Sequence, residues 1–168
     1  FPVLGAVATL AFDPRRSRFF RAQLMAALMI MSRGDVDVRV KGSWAGAMGN
    51  FQFIPTTYQG FAVDADGDGK RDMWNRCPDL HASAANYLSR SGWRSGWTWG
   101  REVQLPKGFR LELTGLKIRK TLARWRALGV KTISGGVLPT GNAEASVILP
   151  AGYSGPAFLI YKNYRTIL

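Results

Sequence analysis

Residues Lys41–Trp74 read KGSWAGAMGNFQFIPTTYQGFAVDADGDGKRDMW. The end of this stretch places four of the chain's eleven acids within nine residues: Asp64, Asp66, Asp68 and Asp72. Counted from Asp64, they stand at positions 1, 3, 5 and 9 of a loop, with Gly69 at position 6 and Lys70 at position 7. This is the ligand order of an EF-hand loop. There, alternate side chains and one backbone carbonyl aim six to eight oxygens at Ca²⁺, and a sharp turn falls at position 6. Without a cation the carboxylates would repel one another at short range. Position 12, where a bidentate Glu is expected, is Asn75, and Asp79 is the nearest carboxylate that could close the site. The alternative, an acidic surface turn of the Asp-Gly type, is set aside on the ligand spacing. The expected metal set is Asp64, Asp66, Asp68, the carbonyl of Lys70, Asp72 and Asp79. Its role is expected to be structural, since a lone loop joining two helices is a poor sensor.

Working outward from this loop, residues 2–12 are apolar and predict a helix, and Asp13-Pro14 marks the start of another. Phe20, Leu24, Ala27, Leu28 and Met31 recur at helical spacing and predict its buried stripe, with Gly34 as the stop. Met25, Met29 and Met31 are expected as core filler. Residues 34–54 carry little periodicity and many small residues, and a loop this long inside a compact domain is usually functional. A short helix is expected after Pro55, and another through Ser89 with Asp79 as its N-cap. After Trp99 the composition shifts. REVQLP predicts a strand, LKIRKTLARWRAL (116–128) a basic amphipathic helix ended by Gly129, and the remainder turns and strands. The expected boundary lies near residue 100, with a helical part before it and a small α+β part after it.

The chain is 46% hydrophobic, enough to bury a core. No window approaches the length of a membrane span, and no signal peptide or membrane anchor is visible. The sequence opens on FPVLGAVATLAF without an initiator Met, as a processed or trimmed chain would. Net charge is +12, and outside residues 64–79 there are 20 Lys and Arg against 6 acids. Such a surface suits a polyanion: nucleic acid, anionic lipid or an acidic wall polymer. The single Cys77 excludes an internal disulfide framework and is expected to be a structural thiol.

Several motifs stand in order: GSWAGAMG (42–49), QFIP (52–55), AVDADGDG (62–69), ANY (85–87) and GW (92–93). They resemble the lytic murein transglycosylases of the membrane-bound B type. EVQLPKGF, ARWRALGV and ILPAGYSGPAFLIYKNY resemble the same family's later portion, so the resemblance covers nearly the whole chain. It implies an α+β, lysozyme-like fold with an EF-hand-like Ca²⁺ loop. Residues 1–99 would be the mainly helical catalytic core. Residues 100–168 would be a small α+β subdomain, incomplete at its C-terminus because the family's RYN segment would follow Leu168. It also implies cleavage of the MurNAc–GlcNAc β-1,4 bond of peptidoglycan without water. A single Glu protonates the leaving oxygen, the N-acetyl group assists, and the 6-hydroxyl closes a 1,6-anhydro ring. This lies near the substrate-assisted exceptions to two-carboxylate glycosidases.

By the same resemblance, Ser43, Gln52, Phe53 and Tyr87 line the glycan cleft. Ser43 and Gln52 offer hydrogen bonds, and Phe53 and Tyr87 offer flat faces. Gly42, Gly46 and Gly49 would let the backbone approach a sugar. Trp44, Met48 and Phe51 are expected in the core, while Phe53 is left open between core and cleft. The catalytic Glu of the family would lie upstream of Phe1. Glu102, Glu112 and Glu144 stand outside the expected context, so none is assigned as catalytic. The expected partner is the peptidoglycan strand, met by a monomer in the periplasm or cell envelope. The rivals are a non-catalytic peptidoglycan-binding module lacking the Glu, and a nucleic-acid binder, which has charge but no groove-reading or stacking motif in its favour.

Overall fold

The computed structural model describes residues 1–75 and 77–168, the side chain of Cys77 excepted; the expectation for that thiol therefore lies outside the described residues. The chain divides into two compact units, Phe1–Arg90 and Ser91–Leu168. The composition shift used to place a boundary falls at Trp99, nine residues later. It marks where strand structure begins: the turns of residues 91–99 already belong to the second unit.

In the first unit, α1 (Val3–Phe12) buries Val3, Val7 and Ala11, one residue per turn. The segment Asp13–Arg16 is a turn, and α2 (Ser17–Ser32) begins only after it. Asp13 organises that turn by accepting from the backbone N–H of Arg15 and from its guanidinium at 2.6 Å, which holds the carboxyl down at about 2. The buried stripe of α2 is Phe20, Gln23, Ala26, Ala27 and Ile30. It is rotated by about one residue from the expected one. Leu28 and Met29 are exposed, and so is Met25 at 58%, so the methionines do not fill the core as expected.

The rotation has a polar cause. Gln23 is buried, and its Oε1 accepts from the backbone N–H of Thr56 at 3.0 Å. It thereby satisfies one of the unpaired amides that open α3 (Pro55–Phe61). The last helix of the unit, α4 (Cys77–Arg90), starts two residues before Asp79, which sits in its first turn and not at its N-cap. These elements enclose Val3, Ile30, Val36, Met48, Phe53, Tyr58 and Met73, with Phe61, Trp74 and Tyr87 packed around them.

The second unit is a five-stranded antiparallel sheet in the order β2-β4-β5-β1-β3, built from β1 (Gly100–Gln104), β2 (Lys120–Thr121), β3 (Lys131–Thr132), β4 (Glu144–Ile148) and β5 (Ala157–Ile160). The expected helix 116–128 shrinks to α5 (Leu122–Ala127). Lys120 and Thr121 pair instead with Ala145 and Glu144, and the Thr121 hydroxyl caps the helix by accepting from Arg124. α5 covers the sheet with Trp125, which is fully buried and donates Nε1–H to the carbonyl of Ala145 at 2.9 Å. Phe109, Leu122, Val130, Leu138, Val147 and Leu159 complete this core. Past β5 the run YKNY turns helical, as α6 (Lys162–Ile167). Among the described residues no helix is long and apolar enough to cross a membrane.

Candidate functional site

The expected site residues of the first unit sit on two turns and one helix face. Ser43 closes a tight turn. Its Oγ accepts from the backbone N–H of Ala45 and Ala47, and its own N–H donates to the carbonyl of Ala47 at 2.9 Å. The hydroxyl proton is thus the part of Ser43 left to donate to a ligand. Met48 and Phe53 then exchange two backbone hydrogen bonds, at 2.8 and 2.9 Å, around the loop Gly49–Gln52. Gln52 ends that loop in the left-handed region, at φ 53°, where residues other than glycine are uncommon. Its Nε2 donates back to the carbonyl of Gly49 at 2.9 Å, which holds the side chain over the hairpin.

The glycines of this stretch serve the protein's own packing. A Cβ on Gly42 would lie 2.1 Å from the carbonyl oxygen of Ala47, and one on Gly49 would lie 2.6 Å from Cβ of Met73. The space a side chain would fill is already occupied by the fold, and not held open for a sugar. Two core expectations here are also corrected. Met48 is buried, but Trp44 is 66% exposed and Phe51 46% exposed. Both lie on turns whose backbone is fixed by hydrogen bonds, which leaves their rings outward.

Phe53 and Tyr87 come together. Phe53 is 6% exposed and belongs to the core. Its ring lies 5.5 Å from that of Tyr87, on α4, and Phe61 meets Tyr87 edge-on at 5.0 Å. Tyr87 is half-buried, so part of it faces solvent. Asn86 beside it donates to the carbonyl of Phe61 at 2.9 Å and fixes α4 against α3.

The acidic loop is organised from both sides. Asp64 accepts from Gly67 N–H at 2.7 Å and from Gly69 N–H at 2.9 Å, curling the chain around its own carboxylate. Asp68 accepts from Lys70 N–H, and Asp72 accepts from Trp74 and Asn75. Asp79, fully buried, reaches across from α4. One oxygen accepts from Ala65 N–H at 2.8 Å and the other from Asp72 N–H at 2.9 Å. Oxygens of Asp64, Asp66, Asp68 and Asp79 all lie within 4.8 Å of one another. Four carboxylates so close, one of them buried, suit a hard divalent cation in donor type and spacing. Asp79 is therefore the carboxylate that joins the loop acids. Asp72 stands outside this group of four, and its Oδ1 closes the loop's exit turn.

Sequence reasoning missed Tyr58. Fully buried, it donates its hydroxyl to the carbonyl of Arg71, tying α3 to the end of the acidic loop. Burial, reinforced by Asp35, pushes its phenol well above the ordinary tyrosine range. Nothing but its place in the TTYQGF run could have signalled this.

The chain that carries this glycine-rich double turn, aromatic pair and acidic loop matches the family model of the transglycosylase SLT domain over residues 1–168, and it belongs to that family. Its fold is α+β and lysozyme-like. Among curated proteins it is similar to membrane-bound lytic murein transglycosylase B of Escherichia coli, at 40% identity over 155 residues, covering 88% of this chain and 39% of that protein. Among solved structures it is similar to SltB3 of Pseudomonas aeruginosa in complex with NAG-anhNAM-pentapeptide, at 53% identity and a TM-score of 0.95, covering 100% of this chain and 46% of that one. It is also similar to the Escherichia coli lytic transglycosylase Slt35 in complex with calcium, at 32% identity and a TM-score of 0.83, covering 99% of this chain and 52% of that one. The chain thus spans about half the length of these relatives, or less.

Proposed function

We propose that this chain is the glycan-handling part of a peptidoglycan lytic transglycosylase of the bacterial envelope, which cleaves MurNAc–GlcNAc β-1,4 bonds to give 1,6-anhydro-muropeptides. The observation that carries the reading is its similarity along the whole chain to SltB3, whose structures hold NAG-anhNAM-pentapeptide and NAG-NAM-pentapeptide. The double turn and aromatic pair give that similarity a local chemistry. The Ser43 hydroxyl and the Gln52 amide meet sugar hydroxyl and acetamido groups. Tyr87 lends its face and phenol, and Phe53 holds Tyr87 from behind.

The proton donor is assigned to a Glu outside residues 1–168. A glycosidic oxygen is a feeble base, so its donor must keep a proton near neutral pH. Glu102, Glu112 and Glu144 are exposed members of the second unit. Arg110, at 2.6 Å, holds the carboxyl of Glu112 below the usual range, the wrong direction for a donor. Arg39 does the same to Asp37. We further infer that Asp64, Asp66, Asp68 and Asp79, with the Lys70 carbonyl, hold Ca²⁺, which would supply the charge that lets these carboxylates converge. Asp72 supports the set from the loop's exit.

Changing Gln52 to Ala is expected to weaken binding of a NAG-NAM disaccharide by about 1 kcal/mol, roughly fivefold, while stability falls by no more than the one hydrogen bond lost to the Gly49 carbonyl, about 0.5–1.5 kcal/mol. Calorimetric titration measures this, and equal affinity of variant and parent removes Gln52 from the glycan site. Mass spectrometry of the soluble products released from sacculi by the enzyme carrying this domain tests the reaction. Reducing-end products in place of anhydro ones would mean hydrolysis.

A further inference from the structure

The strongest unexplained feature lies in the second unit, outside every residue discussed so far as a site. A concavity of about 640 Å³ is lined by four cations, Arg94, Arg119, Lys162 and Arg165, with Glu144 and Trp97. Its volume falls within the range of small-ligand pockets. Its walls are built. Asn163, buried behind it, accepts from Arg94 N–H at 2.8 Å and donates to the carbonyls of Arg94 and Trp97, both at 2.9 Å. That fixes the turn carrying Arg94, whose guanidinium stands 5.6 Å from the centre of the Trp97 ring. Arg165 is fixed as well, donating to the Leu116 carbonyl at 2.6 Å and to Ser146 Oγ at 2.5 Å.

Four cations here face a single acid, Glu144, which offsets only part of their charge. Among the described residues, none of the four cations forms a salt bridge, with Glu144 or with any other acid. Like charges gathered in one concavity raise its potential and attract an anion. Burial first, and the nearby Arg119 second, lower the proton affinity of Arg165, while Glu144 opposes them. A pocket of arginines is suited to carboxylates, which the planar guanidinium meets with two parallel bonds.

We propose that this pocket binds the carboxylates of the peptide stem of peptidoglycan, so that the second unit reads the peptide while the first reads the sugar. The inference rests on the peptidoglycan reading above. Sugar hydroxyls and acetamido groups give no reason for four convergent cations. The peptide stem of the same polymer does, because it ends in free carboxylates, and Trp97 offers its short side chains an apolar wall. Arg119 and Lys162 are exposed and serve as the mutable pair; Arg94 and Arg165 are tied into the walls.

The test titrates the whole chain with NAG-NAM-pentapeptide, with the peptide-free NAG-NAM disaccharide and with inorganic phosphate. The parent is expected to bind the peptide-bearing ligand about tenfold more tightly than the peptide-free one. The double variant Arg119→Gln/Lys162→Gln is expected to lose most of that advantage and to keep its affinity for the disaccharide. The charge-preserving pair Arg119→Lys/Lys162→Arg is expected to retain at least half of it, which separates charge from folding. If the disaccharide binds and the peptide adds nothing, or if the Gln variant keeps the advantage, the pocket is not a peptide site and the sugar reading stands. If phosphate competes for the pocket and the pentapeptide does not, the pocket serves a phosphate-bearing wall polymer and the proposal fails. If neither sugar ligand binds the parent, the peptidoglycan reading fails and takes this inference with it.

Discussion

Replacing Asp79 by Ala is expected to lower the unfolding temperature of the first unit whether or not calcium is present, whereas replacing Asp66 by Ala should do so mainly when calcium is present. The difference follows from position. Asp79 is fully buried and accepts the N–H groups of Ala65 and Asp72, so it ties the loop to α4 by itself. Hydrogen bonds to a charged acceptor contribute about 1.5–3 kcal/mol each. Relief of repulsion among the remaining carboxylates offsets part of their loss. A net cost of about 2 kcal/mol, on the order of 10 °C for a unit of this size, is the expected result without the ion. With calcium at about a hundred times its dissociation constant, the parent gains a further ~2.7 kcal/mol that neither variant shares. Asp66 is exposed and accepts the N–H of Asp68 at 3.2 Å within the loop, so its removal should erase the calcium increment and cost less in chelator than removal of Asp79. Thermal melts in calcium and in chelator read both effects. A parent melt indifferent to calcium would overturn the cation site, and an Asp66→Ala protein with the full increment would remove Asp66 from it.

The second large effect is expected at Gly49. An alanine there meets two penalties at once. Its φ of 67° lies in the left-handed region, costing about 1 kcal/mol, and its Cβ would stand 2.6 Å from Cβ of Met73 and 2.8 Å from the Met73 carbonyl oxygen. Met73 is fully buried and cannot retreat without moving the chain after the acidic loop. Overpacking of that kind costs a further ~1–3 kcal/mol. Gly34 supplies the control. Its φ is 77°, and nothing lies within 4 Å of the added atom. Gly34→Ala should therefore cost only the conformational part, about 1 kcal/mol, against about 2–4 for Gly49→Ala. Denaturant melts of the two variants measure the gap. Equal destabilisation would mean that the hairpin yields freely, and that Gln52, three residues on, is not held in place by it.

What the sequence carried legibly was local. Alternating carboxylates announced the acidic loop because three of its four converging acids stand at alternate positions of one short stretch, and Pro55 announced α3 because proline sets a first turn. The motif order located Ser43, Gln52, Phe53 and Tyr87, and the ring contact between the last two joins residues 34 positions apart. What stayed hidden depends on partners distant in the chain. Gln23 stood outside the expected apolar stripe, yet it is buried in the observed one, where its oxygen accepts from Thr56 N–H. Residues 116–121 carried a helical pattern, but Glu144 and Ala145 claim two of them for a strand. Asp79 is expected both to cap its own helix and to close the loop before it; it sits inside the first turn of α4 and accepts from Ala65 and Asp72 of the loop, so only the cap fails.

The sheet of the second unit carries a kinetic consequence. Its β1 and β5 pair Gly100 with Ile160, and β4 pairs Ser146 with the same residue. The β4–β5 hairpin, next to which Trp125 bonds Ala145, pairs residues close in the chain, but seating β1 beside β5 closes a loop of some sixty residues. The converging carboxylates of the acidic loop span only Asp64 to Asp79. Contacts between near neighbours form early, and the entropy of closing a long loop is lost before any pairing rewards it. During refolding the acidic loop of the first unit thus closes over a short span, and the second unit starts from its local β4–β5 hairpin but completes the sheet only after a wide search brings β1 to β5.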